Sequence, residues 1–312
     1  MKEWLQRCWV IPALLLMNLV TMFLPQPSQT MLEHVSTADY WSAAAVAFLC
    51  GLCVARQPFQ QALLDPEVHV LCALYSLVIA PLSAVVAALL LRAAGLSEAE
   101  FLRGLVLTAC LPPSLTSTVA LTTVAAGSEA TAVVGALGCK YISVLVSPLL
   151  MRHLAELDLT WLSATETLKS ITLSITVPLV AGQIIRAITN LEYRQVPLRH
   201  LCCAILLLNQ YVVSSNLATD CIQAYSQSRL AIMVLLVLTV LLIQDMIIFQ
   251  SSKTSHINLT SEEIASVLFT GAHKSLRYGR LMLDGKNTSL CCFYIYTAFQ
   301  TMVCFGVDYF MG

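Results

Sequence analysis

Two adjacent prolines, Pro112 and Pro113, interrupt a long apolar stretch of the chain. Because two prolines remove two amide donors and clash with the preceding turn, a continuous helix cannot run through them. In hydrocarbon, the carbonyl groups that such a break frees must be met by protein, hydroxyl groups or water. We weigh two roles, binding of an ion or small solute and satisfaction of the freed backbone, for the hydroxyl residues that follow: Thr116, Ser117 and Thr118.

A second interruption is predicted where a later apolar stretch contains His273, Lys274 and Ser275. A His-Lys pair at the centre of a membrane span costs several kcal/mol unless it is hydrated or paired. Lys274 is a candidate to hold an anionic solute or to stand as a fixed cation, and histidine titrates near physiological pH. The alternative is a buried pair that bonds to carbonyl groups of a crossing helix.

A few other polar residues lie within or beside apolar stretches. Glu129 follows a helix stop-and-restart signal, so it either caps the positive end of a new helix or lines a cavity. Lys140 lies about 16 Å further along that helix, where it lines the same cavity or extends to the interface. For Asp245, beside Gln244, we favour an interfacial position over a functional one. Gln183 is expected to form a hydrogen bond between helices.

The composition defines the surroundings of these residues, since the 312-residue chain is 58% hydrophobic and only 11% charged. Soluble domains carry roughly 25% charged residues, so the bilayer must be the solvent here. The net charge of −1 argues against nucleic-acid binding as the main task. The 12 cysteines lie in apolar runs as small hydrophobes, and we predict no disulfide framework and no metal site. We find no nucleophile–base pair, so neither an enzyme activity nor a cofactor is predicted.

Hydropathy predicts an all-α membrane protein of about ten spans, since about twenty apolar residues cross a bilayer. A signal peptide is disfavoured because no cleavage site follows the first apolar run. The longest connections are 25–39 and 251–261, which leaves no room for an extramembrane domain. Basic residues are balanced between the two sides, so the positive-inside rule does not decide the orientation. The predicted spans are Trp9–Leu24, Tyr40–Ala55, Val68–Leu91, a fourth that starts near Phe101 and meets the double proline, Ala130–Leu150, Leu168–Ile185, Leu201–Leu217, Leu230–Phe249, Ile264–Leu283 and Leu290–Met311.

The two interruptions fall at matching places, in the fourth span of each five-span half. Residues 1–157 form the first half and residues 158–312 the second, within a single polytopic membrane domain. Paired interruptions at matching positions indicate two inverted repeats with a binding site at the membrane midplane. The alternative is a pair of kinks with a purely structural use.

The residues around both interruptions resemble the bile acid:sodium symporter superfamily. The stretch Gly104–Leu150 resembles that superfamily's fourth and fifth helices, with the double proline, the hydroxyl cluster and a Gly-Ser-Glu turn. The run His273–Leu276, and the double proline with Thr116 and Ser117, are similar to the sodium/bile acid cotransporter 7 branch, which includes fungal regulators of calcium homeostasis. Shorter matching segments are Phe48 with Gly51-Leu52, Val177–Leu179 with Gly182–Ile184, and Tyr296 with Gln300.

The resemblance implies a ten-helix fold in which a panel domain packs against a core domain with crossed, broken helices four and nine. It also implies a role in cellular calcium handling, with a poorly defined substrate. Sodium-coupled members hold sodium through an asparagine after the hydroxyl pair, hydroxyl groups in helix five, and a glutamate and a glutamine in helix nine. The matching positions here are Val119, Ala132, Ala136 and the His273-Lys274 pair, so the side chains for sodium are largely missing.

Three functional hypotheses follow from the residues and the resemblance. The first is a transporter-like protein that restrains calcium influx. The second is a sodium-coupled symporter of organic anions, such as bile acid or sterol conjugates, with Lys274 as the anion partner. The third is a non-transporting regulator that binds a calcium channel, because the segment after Leu276 departs from the family pattern. All three place the protein in the plasma membrane or a secretory-pathway membrane (Golgi or ER), without nucleic acid as a partner. The predicted solute or ion site consists of Pro112, Pro113, Thr116, Ser117, Thr118, Glu129, His273, Lys274 and Ser275.

Overall fold

The computed structural model describes residues 29–93, 99–154, 164–189, 200–208 and 259–275, with scattered positions at 12–13, 16–17, 20, 211, 235, 239, 242–244, 246–247 and 250. Apart from one bridged pair, all regular structure in these ranges is helical, which confirms the predicted all-α class. Most of the predicted first and eighth spans, about half of the seventh, the tenth span, residues 276–283 and Asp245 lie outside the described residues. The count of ten spans and the inverted repeat stay predictions.

Within the part of the chain that the structure describes, three helices are long and apolar enough to cross a membrane, at Pro66–Ala93, Glu129–Leu154 and Thr165–Thr189, and the bent pair Tyr40–Cys53 and Arg56–Leu64 would make a fourth span. Their outward side chains suit lipid, since Leu90, Leu145 and Ile188 are 65%, 68% and 75% exposed. The labelled helices are α1 (Gln29–Cys53), α2 (Arg56–Leu64), α3 (Pro66–Ala93), α4 (Ala99–Ala109), α5 (Leu115–Val124), α6 (Glu129–Leu154), α7 (Thr165–Thr189) and α8 (Ser261–Ala272).

The helix α1 begins earlier than the sequence predicts. The predicted connection 25–39 is wrong over residues 29–39, which are helical and continue into the predicted second span. The polar residues of this segment favour a loop, but it contains no proline or glycine to stop a helix. After Cys53 the chain bends by 110° into α2.

The C-terminal end of α1 is closed by polar side chains of α7. The last carbonyl groups of a helix have no partner within it, so they need donors from elsewhere. Arg186 donates from Nη1 to the carbonyl oxygens of Leu52 and Cys53, at 3.0 and 2.5 Å. Gln183 donates from Nε2 to the carbonyl oxygen of Val54 at 3.0 Å, which confirms its predicted hydrogen bond between helices.

Two glycines allow α1 and α7 to approach this closely. A Cβ atom on Gly182 would lie 2.9 Å from the backbone nitrogen of Leu52, and one on Gly51 would meet the carbonyl oxygen of Leu179. Small residues at a membrane helix contact let the two backbones pack against each other. The pair α1–α7 therefore forms one tightly packed unit beside the candidate site.

Both α3 and α7 contain a π-helical turn, at Tyr75–Ile79 and at Thr172–Thr176. In each helix a proline follows the turn by two residues, Pro81 in α3 and Pro178 in α7. Proline cannot donate a backbone hydrogen bond and clashes with the preceding turn of a regular helix. A π-turn is one way in which a helix absorbs that misfit and continues.

The helix boundaries next to the candidate site follow ordinary capping rules. Between α5 and α6, Ala126 adopts a positive φ of 55°, which confirms the predicted stop and restart. At the start of α8, the Glu263 N–H donates to the Thr260 hydroxyl at 3.3 Å, and the Thr260 N–H donates to the Glu263 carboxylate at 2.9 Å. These reciprocal bonds form a capping box, which fixes where α8 begins.

Candidate functional site

The two predicted interruptions meet in space. The N–H of Ser114 donates to the carbonyl oxygen of His273 at 3.0 Å, and the N–H of Ser275 donates to the carbonyl oxygen of Pro112 at 2.7 Å. Two short extended segments thus satisfy each other's backbone at the point where both helices are broken. We call this contact of residues 112–114 with residues 273–275 the crossing.

Three helix ends lie at the crossing, and their dipoles favour charges of opposite sign. The helices α4 and α8 end there, while α5 begins there with Ser114 as its N-cap. The Oγ of Ser114 accepts from the N–H of Ser117 at 3.5 Å and from its Oγ at 3.0 Å. Since C-terminal ends carry partial negative charge and N-terminal ends partial positive charge, the crossing favours a cation beside α4 and α8 and an anion beside α5.

The hydroxyl residues after the double proline differ in their surroundings. Thr116 and Thr118 are buried, whereas Ser117 is half-buried. The Oγ1 of Thr118 donates to the carbonyl oxygen of Phe269 in α8 at 3.4 Å, so this hydroxyl supports the backbone of the partner helix. Ser117 bonds within the N-cap of its own helix. Binding of a solute or ion by Thr116 and Ser117 stays a prediction.

Lys274 is buried at the crossing, with 2% of its surface exposed. Its backbone pairs with Pro113 as an antiparallel bridge. Its Nζ donates to the carbonyl oxygen of Ser76 at 2.6 Å and to the Ser76 hydroxyl at 3.1 Å. The acceptor belongs to α3, a helix that the sequence does not connect with Lys274. One lysine therefore joins α3 to both interrupted helices.

The π-turn explains why the Ser76 carbonyl is open to a side chain. The N–H of Ala80 donates to the carbonyl of Tyr75, five residues earlier, instead of to Ser76. With the same five-residue spacing, the donor to the Ser76 carbonyl would be the N–H of residue 81. Residue 81 is a proline and has no N–H. A buried carbonyl without a helical donor needs a partner from elsewhere, and the ammonium of Lys274 supplies one.

The other predicted site residues lie at different distances from this point. His273 and Ser275 are buried in the crossing, and the His273 ring lies 6.1 Å from the Phe269 ring. Glu129 is half-buried at the start of α6, where a carboxylate suits the positive helix end. It is separated from the crossing by the ten residues of α5, about 15 Å of helix, so the structure does not bring Glu129 to the crossing.

Two further polar residues are buried among the helices. Lys140 is 5% exposed, so the predicted alternative that its ammonium extends to the interface is wrong. Gln244 donates from Nε2 to the Ser83 hydroxyl at 2.6 Å and to the carbonyl of Ala80 at 3.2 Å. The helix α3 therefore accepts a polar side chain at Ser76 and another at Ser83.

Ser76 is the residue that the sequence reasoning missed. The signal was present in Pro81, which lies inside a predicted span and leaves a carbonyl upstream of it without a donor. Within the described ranges, no group of three or more His, Cys, Asp or Glu side chains is placed to hold a metal ion. What the crossing offers chemically is an ammonium, buried hydroxyl groups and helix ends.

A family model, the SBF-like CPA transporter family (DUF4137), matches residues 8–304. The chain belongs to the SBF-like CPA transporter family. The predicted resemblance to the bile acid:sodium symporter superfamily is thereby confirmed, and the chain is an integral membrane protein of a transporter family.

Individual relatives agree with this assignment. The chain is 25% identical to sodium/bile acid cotransporter 7 of Xenopus tropicalis over 249 residues, which cover 79% of this chain and 72% of the relative. It is 24% identical to sodium/bile acid cotransporter 7 of Mus musculus over 249 residues, 79% of this chain and 73% of that one. An uncharacterized protein of Pseudomonas aeruginosa is 25% identical over 271 residues, 86% of this chain and 80% of that one.

Proposed function

We propose that this chain is a cotransporter 7-type membrane transporter whose small solute or ion binds at the crossing. The observation that carries the proposal is the meeting of two broken helices around a buried ammonium. Irregular backbone is tolerated at membrane depth only where it is buried in protein or lines a cavity, and transporters place their sites at such interruptions. Thr116, Ser117 and Ser275 are the side chains proposed to contact the solute.

We further propose that the protein takes part in cellular calcium handling and restrains calcium influx, in the plasma membrane or a membrane of the secretory pathway. This part rests on the resemblance of Pro112-Pro113 and of His273–Leu276 to the branch that includes fungal regulators of calcium homeostasis. The solute itself is left open, because the crossing offers features for both signs of charge.

The test is calcium imaging in cells that lack the gene. We expect calcium influx after store depletion to exceed that of normal cells and to return to normal when the wild-type chain is restored. The Lys274→Ala chain should fail to restore it, whereas Lys169→Ala, an exposed lysine of α7, should restore it fully. Ordinary calcium influx in the deficient cells would overturn the calcium proposal.

A second candidate function is sodium-coupled symport of organic anions. Relatives at 24–25% identity bear the name sodium/bile acid cotransporter 7, and Lys274 is a buried cation that an organic anion would favour. Purified protein in proteoliposomes would then take up a radiolabelled bile acid conjugate faster when a sodium gradient is present. Thr116→Val and Ser117→Ala should each reduce that uptake. Uptake that is equal with sodium and with choline would exclude this candidate.

A further inference from the structure

We propose that the π-turn of α3 forms a position for a monovalent cation at the crossing and that the Lys274 ammonium is its built-in occupant. The inference rests on the proposed function for its meaning in transport, since it concerns the same crossing. The juxtaposition behind it is that of a buried lysine with the carbonyl and hydroxyl oxygens of Ser76. During transport, the Lys274 ammonium would occupy this position, whereas another protein would need a free cation there.

The oxygens around the ammonium are the kind that bind alkali cations. The Nζ of Lys274 lies 2.6 Å from a carbonyl oxygen and 3.1 Å from a hydroxyl oxygen, both of Ser76. Carbonyl oxygens replace the hydration shell of monovalent cations in membrane proteins. The Ser76 side chain is 0% exposed, so bulk water does not compete for these oxygens. A lysine ammonium is a compact point charge with three donors, which suits the same position.

The helix ends at the crossing add to this preference for a cation. The helix α8 ends at Ala272, two residues before Lys274, and α4 ends at Ala109, three residues before Pro112. Both ends direct the negative pole of a helix dipole toward the crossing, where it stabilises a positive charge. In interrupted membrane helices, C-terminal ends and unwound carbonyls are the elements that coordinate cations.

The covalent attachment of this cation has a consequence that a free ion would not have. Lys274 is fixed to the crossing by its backbone bridge with Pro113, while its side chain reaches α3. A free sodium ion can bind and leave, and so couples its gradient to transport. A lysine cannot leave, so the position should hold a covalently attached cation and give no sodium coupling.

The experiment is a thermal unfolding series on the purified full-length protein in detergent, in choline, sodium or methylammonium chloride at equal ionic strength. The wild-type melting temperature should be the same in all three salts. The Lys274→Ala chain should melt at a lower temperature in choline. Methylammonium, and to a smaller extent sodium, should raise that temperature with a saturable dependence on concentration, as expected for binding to the native state.

The matched control is Lys140→Ala, because Lys140 is a second buried lysine of the described residues, on α6. Its loss of stability should be equal in the three salts. A saturable effect of sodium on the wild-type chain would overturn the proposal, and so would an equal loss for Lys274→Ala in every salt. If Lys274→Ala does not fold, Lys274→Met takes its place, because methionine keeps the side-chain length. The wild-type series alone still shows whether sodium has a saturable effect on the wild-type chain.

The outcome is separable from that of the proposed function. Cation rescue of Lys274→Ala in a protein without any effect on calcium influx would support the cation position and reject the calcium role. A chain that restores calcium control but shows no cation rescue would keep the proposed function and reject the cation position. Each result is read from a different assay, one on purified protein and one on cells.

Discussion

Two π-turns in the described helices, one in α3 and one in α7, share one backbone arrangement and differ in the side chains that they bind. In each, the residue after the turn donates its N–H five residues back: Ala80 to Tyr75, and Val177 to Thr172. In each, a proline follows one residue later. The carbonyl that this proline leaves without a helical donor belongs to Ser76 in α3 and to Leu173 in α7.

The two π-turns differ in the surroundings of these two carbonyl groups. Ser76 is 0% exposed and accepts from the Lys274 ammonium, whereas the Leu173 side chain is 57% exposed on the outer surface of α7. The turn in α7 instead holds the Tyr141 hydroxyl, which lies 2.7 Å from the Thr176 Oγ1 and 3.2 Å from the Thr172 Oγ1. The same backbone irregularity therefore supports a charged contact at the crossing and a neutral one away from it.

The largest expected effect comes from removing the charged partner. Lys274→Ala should lower the free energy of unfolding by about 2–3 kcal/mol, because it leaves a buried carbonyl unpaired and opens a cavity. Chemical or thermal unfolding of the purified protein measures this. Lys169→Ala, on the exposed surface of α7, should change stability by no more than about 0.5 kcal/mol. A loss as small as that control would contradict a structural role for the Lys274–Ser76 contact.

The next effect is a coupling between the proline and the lysine. Pro81→Ala restores an N–H that can reach the Ser76 carbonyl, so Lys274→Ala should be less damaging in that background. A double-mutant cycle should give a coupling of about 1 kcal/mol between positions 81 and 274. Pro178→Ala, the equivalent change in α7, should add to Lys274→Ala without coupling. Equal behaviour of the two prolines would show that the π-turn is not what opens Ser76.

Removing the neutral partner in α7 should have a smaller effect. Tyr141→Phe deletes the hydroxyl that bonds to Thr172 and Thr176 and should cost about 1 kcal/mol of stability. Because no charge is involved, the loss should be the same in sodium, choline and methylammonium. Melting curves in the three salts check this. A salt-dependent loss would contradict the distinction between a charged contact in α3 and a neutral contact in α7.

The smallest effect is expected at Ser76 itself. Ser76→Ala removes the hydroxyl at 3.1 Å from Nζ and keeps the carbonyl at 2.6 Å. It should therefore cost only about 0.5–1 kcal/mol, less than the change of Lys274. If Ser76→Ala were as damaging as Lys274→Ala, the hydroxyl and not the carbonyl would be the main acceptor, and the missing N–H of Pro81 would not explain the contact.

Much of the candidate site could be predicted from the sequence because its cause is local. Two prolines must break a helix wherever they lie, and a charged pair in an apolar stretch marks a second break. That Pro112 and His273 lie at one crossing was implied by the family resemblance, and the backbone bonds of the structure show it. The helix stop at Ala126, before the restart at Glu129, is equally local and was predicted for that reason.

The other features of the site depend on tertiary packing and could not be predicted from the sequence. A proline at position 81 shows that some upstream carbonyl lacks a donor. Which side chain reaches that carbonyl is decided by tertiary packing, because Lys274 lies 198 positions after Ser76 in the chain. The helix over residues 29–39 was missed because its polar residues were interpreted as a loop, although the segment contains no proline or glycine to stop a helix. Glu129, predicted with the site, lies at the far end of α5, since sequence proximity to a break does not determine position in space.

Equilibrium binding of radiolabelled sodium to the purified protein shows whether the crossing already contains its cation. We predict no saturable sodium binding to the wild-type chain at this position and saturable binding to Lys274→Ala, competed by methylammonium. Saturable binding to the wild-type chain that Lys274→Ala leaves unchanged would contradict it.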